Sequence, residues 1–256
     1  METNQEWTTG TIEFSLAGEP VEMQMTVPAN PVTLSRMLPI FQQMTDSFLE
    51  VGLNKARSEG KAVSCTKGCG ACCRQLVPVS EAETILISQM VESFPEPRRS
   101  RVKKRFADAC RHFYENKWFE RIDHSENLTD DKDLQKLADD YFKEGVPCPF
   151  LEDESCSIHT RRPLACREYL VTSPAVNCVQ PTVQNIDKVR LLFLLSDTIL
   201  SIENKENAKP INFVPLIFSL AFAGQNSRSE AEKTGMEWMT EFFQELSNQC
   251  KTDGGI

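Results

Sequence analysis

The chain lacks the positive charge that wrapping nucleic acid requires. Lys and Arg number 28 against 37 Asp and Glu, a net charge of −9 over 256 residues. Nucleic-acid binders carry basic domains, so no nucleic-acid partner is expected. Long apolar runs are also missing. Ile211 to Ala223 is too short for a bilayer and contains Pro215, and Val189 to Leu200 is broken by Arg190 and Asp197. Met1 to Trp7 offers neither a basic stretch nor an apolar one, so no secretory signal is expected. No glycine-rich phosphate turn and no serine–histidine–acid arrangement is apparent, and His112 and His124 have no motif around them. Internal repeats and low-complexity tracts are absent. Disulfide scaffolds are excluded on density, since ten cysteines make up only about 4% of the chain. A chain of this length, 40% hydrophobic, buries a core without staples. These absences leave a soluble protein of the reducing cytoplasm, where patterned cysteines mean metal or catalysis more often than disulfides.

What is present begins with alternation. Ile12, Phe14 and Leu16 share one face, and Val21, Met23, Met25 and Val27 the matching one, with Ala17 to Pro20 as the turn. This predicts a β-hairpin that packs on the next part of the chain. Leu34, Leu38, Phe41, Met44, Phe48 and Val51 then recur at helical spacing, with Pro39 predicting a helix start or a kink. Ser80 and Glu83 form a capping box ahead of Ile85, Leu86 and Met90. Further helices are predicted over about 98–120, about 184–204, about 213–223 and about 229–249. Another carries Leu134, Leu137 and Tyr141 and stops at Gly145. The expected architecture is mainly α with a small N-terminal β-hairpin: a helical body with two metal-bound irregular cysteine loops. Residues 1–60 supply hairpin and helix, 61–180 the cysteine-cluster domain, and 181–256 C-terminal helices on the same body.

Eight of the ten cysteines fall in those loops. Cys65, Cys69, Cys72 and Cys73 crowd into nine residues with Gly68 and Gly70, and Cys148, Cys156, Cys166 and Cys178 lie in a second segment. Four thiols so close together cannot all point into an apolar core. Gly68 and Gly70 permit backbone conformations that turn amides toward sulfur. Lys67, Arg74, Arg161, Arg162 and Arg167 flank the thiols and can lower their pKa. Cys148 precedes Pro149, a pairing common at iron–sulfur clusters. Zinc sites draw on close cysteine pairs, and only Cys69-x-x-Cys72 has that spacing. The pattern therefore favours an iron–sulfur cluster, [4Fe–4S], with zinc as the alternative. One site with spare thiols and two four-cysteine sites are both open. Cys110 and Cys250 continue apolar helical faces and read as packing thiols. The basic run Arg98 to Arg105 reads as the solvated face of a helix.

Cys65-x3-Cys69-x2-Cys72 also matches the triplet of radical S-adenosylmethionine enzymes. Those enzymes set it in an α/β barrel, and no strand–helix alternation comes after residue 73 here. Cys73 is foreign to that motif.

The run Cys65-x3-Cys69-x2-Cys72-Cys73, with Cys148-Pro149-Phe150-Leu151, Cys156-Ser157-Ile158 and Arg162-Pro163-Leu164-Ala165-Cys166-Arg167-Glu168-Tyr169, resembles the YkgJ-type cysteine-cluster family. That family is widespread in bacteria. The resemblance spans about residues 61–180. It implies chelation of zinc or iron by the shared cysteines, and some members are described as iron–sulfur proteins. A flagellin lysine N-methylase carries a similar cluster, an activity not extended to this chain. His159 stands where the family usually has tyrosine and reads as a polar surface substitute. A structural zinc module for protein interaction, and a redox or methyl-transfer enzyme, are the other readings.

Overall fold

The computed structural model of the chain describes residues 6–16, 19–123, 131–182, 184–207, 213–225 and 230–252. Strands β1 (Trp7–Leu16) and β2 (Glu19–Pro28) form the predicted antiparallel hairpin, pairing Ile12 with Met23 and Phe14 with Val21. Ala17 and Gly18 of its turn lie outside the described residues. The chain continues through β3 (Val32–Thr33) into α1 (Leu34–Ser58), which carries Pro39 within it. After the first cysteine loop come β4 (Pro78–Val79), α2 (Glu81–Glu92), α3 (Arg98–Glu115), α4 (Trp118–Asp123) and α5 (Asp131–Lys143). The second cysteine segment holds β5 (Leu151–Glu152), β6 (Ser155–Cys156) and α6 (Leu164–Glu168). The chain then runs through α7 (Leu195–Asn207), β7 (Val214–Pro215), α8 (Ser219–Gln225), β8 (Glu232–Lys233) and α9 (Gly235–Thr252). The class is as predicted: mainly helical with a hairpin. No helix among the described residues is long and apolar enough to cross a membrane.

Two apolar clusters hold the body together. One joins Ile12 and Val27 of the hairpin to Met37, Leu38 and Phe41 of α1, Ile199 of α7 and Trp238, Met239 and Phe242 of α9. The other gathers Ile87, Met90 and Val91 of α2, Val102, Phe106 and Phe113 of α3, Trp118, Tyr141 and Phe218. Each fully buried side chain of this kind contributes roughly 1.5–3 kcal/mol. Helix α2 serves both clusters, with Ala82 in the first and Ile87 in the second.

Four predicted helices differ from the structure: those expected from about 213 and about 229 begin only at Ser219 and Gly235, after the short strands β7 and β8. The one expected over 98–120 breaks at Lys117, whose left-handed backbone (φ 58°) turns Trp118 inward. The one expected from 184 begins only at Leu195. Residues 187–189 instead pair with 170–172, through Thr172 N–H to Asp187 O (2.8 Å) and Val189 N–H to Leu170 O (2.8 Å). Tertiary hydrogen bonds take the backbone groups that a helix would have used. The predicted caps hold: Ser80 and Glu83 form the reciprocal box, and Gly145 closes α5 with φ 67°.

Several helices start on a carboxylate supplied from elsewhere. Glu230 accepts from Ser35 N–H at α1 (3.0 Å). Glu203 accepts from Glu81 and Ala82 N–H at α2 (2.8 Å each). Glu83 accepts from Leu164 N–H at α6 (2.8 Å), and Glu168 from Leu195 and Ser196 N–H at α7 (2.6 and 3.1 Å). Orphan amides and the helix dipole both favour acceptors there.

Burial pushes the Glu203 carboxyl up to about 8, despite the two amides, and Glu81 and Glu83 push the same way. The folded chain therefore keeps this proton from its ordinary value of 4.5 up to about 8, while the unfolded chain releases it. Stability falls as pH rises through that window, at most about 1.4 kcal/mol per pH unit for one proton. Glu203→Gln is expected to flatten the pH slope of urea-unfolding free energy. Parallel slopes for variant and wild type would contradict the assignment.

Candidate metal centre

The first cysteine loop is shaped by short backbone bonds. Ser64 N–H reaches Val171 O (2.9 Å), and Val171 N–H reaches Cys65 Sγ (3.4 Å). Cys69 N–H closes a turn on Thr66 O (3.1 Å). Residues Ala71–Arg74 form a 3-10 turn that presents Cys72 and Cys73 side by side. Gly68 does take a left-handed backbone (φ 92°), but its amide goes to Ser155 Oγ (3.1 Å) rather than to sulfur. Gly70 serves close approach: a Cβ there would lie 2.5 Å from Glu154 Oε2 and 2.7 Å from Leu151 Cδ1. The two loops touch because residue 70 has no side chain.

The second segment is drawn onto the first. Cys148 N–H donates to Cys73 O (2.7 Å), and Arg74 pairs with Glu154 (2.8 and 3.0 Å). Strands β5 and β6 pair Leu151 with Cys156, turning through Asp153 and Glu154 at positive φ. Helix α3 holds this hairpin from behind. Arg98 donates to Ser157 O (3.1 Å), and Arg105 to Pro149 O (3.3 Å) and the Glu152 carboxylate (3.1 Å). Arg99, Lys103 and Lys104 pair with Glu96, Glu92 and Asp108. Arg98, Arg99, Lys103, Lys104 and Arg105 of the basic run are thus engaged within the protein, and Arg98 and Arg105 position a cysteine loop.

Cys166 sits on the one-turn helix α6, fixed by its neighbour. Arg167 is buried and donates to Asp46 (2.7 and 2.8 Å), Arg162 O (2.9 Å) and Thr160 O (2.6 Å). Burial raises the pKa of Glu83, which caps the same helix, and hydrogen bonds and the Arg167 charge oppose that rise. Cys178 is buried on a 3-10 turn, Ala175–Val179, packed against the turn of Cys72 and Cys73.

All eight cysteines enter one electrostatic neighbourhood. The pKa of Cys65, Cys148, Cys156, Cys166 and Cys178 is raised, first by burial. Neighbouring sulfurs add to each shift, and Cys148 reaches about 12. The Cys73 thiol donates to Cys72 and lowers it to about 7, and the same bond holds Cys73 protonated. Of the flanking cations, Arg162 acts on Cys65, Cys72, Cys156 and Cys166. Arg74 is engaged by Glu154, Arg167 by Asp46, and Arg161 lies over the Phe94 ring. Amides of Val171, Phe150 and Ile158 bond to Cys65, Cys148 and Cys156 and favour their anions.

A soft cation answers this donor set: it replaces the protons and offsets the repulsion between sulfurs. The residues fit a zinc ion or an iron–sulfur cluster. Among the described residues, no three His, Cys, Asp or Glu side chains stand close enough to clasp an ion as they are. His159 is exposed, and the charges acting on it are Arg162, Arg167 and Asp46. Cys110 donates to Ile217 O (3.2 Å) beside the second apolar cluster, as a packing thiol should. His112 pairs with Glu144 (2.7 Å), which also accepts from the Trp118 indole (2.9 Å). His124 and the Cys250 side chain lie outside the described residues.

Asp46 and Glu154 support the cysteines without carrying a sequence signal; Glu83 reads in the sequence only as the cap of α2, and Tyr169, whose hydroxyl accepts from Gln75 (3.0 Å), only as part of the cysteine motif. Their partners are 80 to 121 residues away.

No curated protein and no solved structure matches the chain. A family model does match, over just under half of its length. Residues 64–189 match the model of the CxxCxxCC family, described as "Putative zinc- or iron-chelating domain".

Proposed function

We propose that this chain holds an iron–sulfur cluster, [4Fe–4S], through Cys65, Cys69, Cys72, Cys73, Cys148, Cys156, Cys166 and Cys178, within a cysteine-cluster domain over 61–180. The observation that carries this reading is the meeting of two distant cysteine segments, joined by the bond from Cys148 N–H to Cys73 O. The Cys148-Pro149 pair and the amides bonded to Cys65, Cys148 and Cys156 favour iron–sulfur, because such bonds tune cluster thiolates. A bound cluster supplies one-electron redox capacity and a cross-link between the segments. The residues around it place Arg162 as a counter-charge. Free thiols throughout the described cysteines support a reducing compartment, the cytoplasm.

Zinc is the second reading, carried by the family description, which covers both metals. Protein purified without oxygen is expected to be brown, with broad absorption near ~400 nm and matching iron and sulfide content. A colourless protein holding zinc establishes the second reading. Absence of both metals from protein expressed in iron- and zinc-replete medium overturns both.

A further inference from the structure

Among the described residues, two buried side-chain polar atoms have no hydrogen-bond partner, Ser157 Oγ and Ser173 Oγ. Both belong to the second cysteine segment. Other hydroxyls there are engaged: Thr172 bonds Asp187 (3.0 Å), Ser155 accepts from Gly68 N–H (3.1 Å) and Tyr169 from Gln75 (3.0 Å). Ser157 is a partly exposed residue, so a small movement lets solvent reach its hydroxyl. Ser173 is only 9% exposed and has no such recourse. A buried donor left unmade costs stability, so its persistence in a native fold calls for a partner or a role.

The backbone places Ser173 among the cysteines. Residues 170–173 run between two neighbours. Val171 bonds Ser64 N–H and Cys65 Sγ on one edge, and Leu170 and Thr172 bond Val189 and Asp187 on the other. Side chains alternate along such a segment. Thr172 turns out to exposed Asp187, while Val171 and Ser173 are buried. Pro174 then opens the turn that carries buried Cys178, and that turn packs on the turn of Cys72 and Cys73. Val171 and Cys178 are buried yet join neither apolar cluster. The interior around Ser173 is therefore the cysteine side of the molecule and not its apolar core.

We propose that Ser173 is a positioning residue of the metal centre: once the centre is loaded, its hydroxyl donates to a metal-bound sulfur, that of Cys65 or Cys178. This rests on the metal-binding reading and deepens it. A metal-bound thiolate keeps negative charge and lone pairs, so it accepts from a hydroxyl, whereas a protonated thiol is a weak acceptor.

The test compares Ser173→Ala with wild type, each stripped by chelator and each loaded anaerobically with iron and sulfide or with zinc. In the stripped chain alanine removes an unpaired hydroxyl, so Tm should hold or rise. In the loaded chain it removes a bond to the centre, so Tm should fall and loss of metal to a chelator should be about tenfold faster. The iron form should also shift its reduction potential to a more negative value, because a donor on sulfur favours the reduced cluster. A hydroxyl that only packs moves the stripped and loaded forms together, so equal Tm shifts in both overturn the proposal and leave the metal-binding reading standing. Unfolding of the stripped variant under conditions where stripped wild type folds also overturns it, since the hydroxyl then stabilises the chain without metal. If wild type takes up neither metal, both readings fall.

Discussion

Cys166→Ser is expected to lower the metal bound per chain to half or less and to erase most of the stability that loading confers. Serine nearly preserves the shape of cysteine but is a poor ligand for soft metals. The cost therefore falls on ligation rather than on packing. Structural zinc is worth about 10–16 kcal/mol in small domains, comparable to the whole stability of an ordinary protein, about 5–15 kcal/mol. Losing even a third of that should lower Tm by about 10 °C or more in a chain of this size. Cys65→Ser, at the far side of the cluster, should behave in the same way. Chelator-treated wild type supplies the control. Stripped of metal, wild type and both variants should melt together, and only the loaded forms should differ. Unchanged metal content in both variants would refute the ligand assignment.

Arg167→Met should cost about 3 kcal/mol in urea unfolding, because it removes a buried cation on which several groups depend. The carbonyls of Thr160 and Arg162 lose their donor, and buried Glu83 loses a compensating charge. Asp46 is the instructive contrast. It forms an ion pair with Arg167, yet its side chain is 55% exposed while that of Arg167 is 5% exposed. Water rescues the carboxylate side, so Asp46→Asn should cost under about 1 kcal/mol. Equal losses for the two variants would show that the ion pair, and not the carbonyl and Glu83 contacts, holds α6 in place.

Legibility in the sequence tracks the range of the interactions. The hairpin, the capping box at Ser80 and the stop at Gly145 are local devices, written within a few residues, and the structure has them. The start of α7 is not legible in this way. Its amides are capped by Glu168, 27 residues earlier, and residues 187–189 before Leu195 are drawn into pairing with 170–172. Density and spacing alone locate the cysteine loops. What sequence pattern does not give is their mutual placement, set by Gly70 lying against Glu154 and Leu151, and by Cys148 bonding to Cys73. By composition Gly70 is a permissive backbone position; the structure makes it a point of close approach. The flanking arginines look equivalent in the sequence, yet acidic or aromatic partners engage Arg74, Arg161 and Arg167, and Arg162 is the one whose charge reaches Cys65, Cys72, Cys156 and Cys166 together.

The carboxylates that begin helices from a distance tie the body into a chain of dependencies. Glu83 rises from α2 to start α6, Glu168 ends α6 and starts α7, and Glu203 of α7 returns to start α2. The three helices close a ring in which each supplies the first acceptor of the next. Fraying at any member uncovers amides in its successor, so protons on these backbones should exchange with solvent together, and Cys166 rides inside that ring.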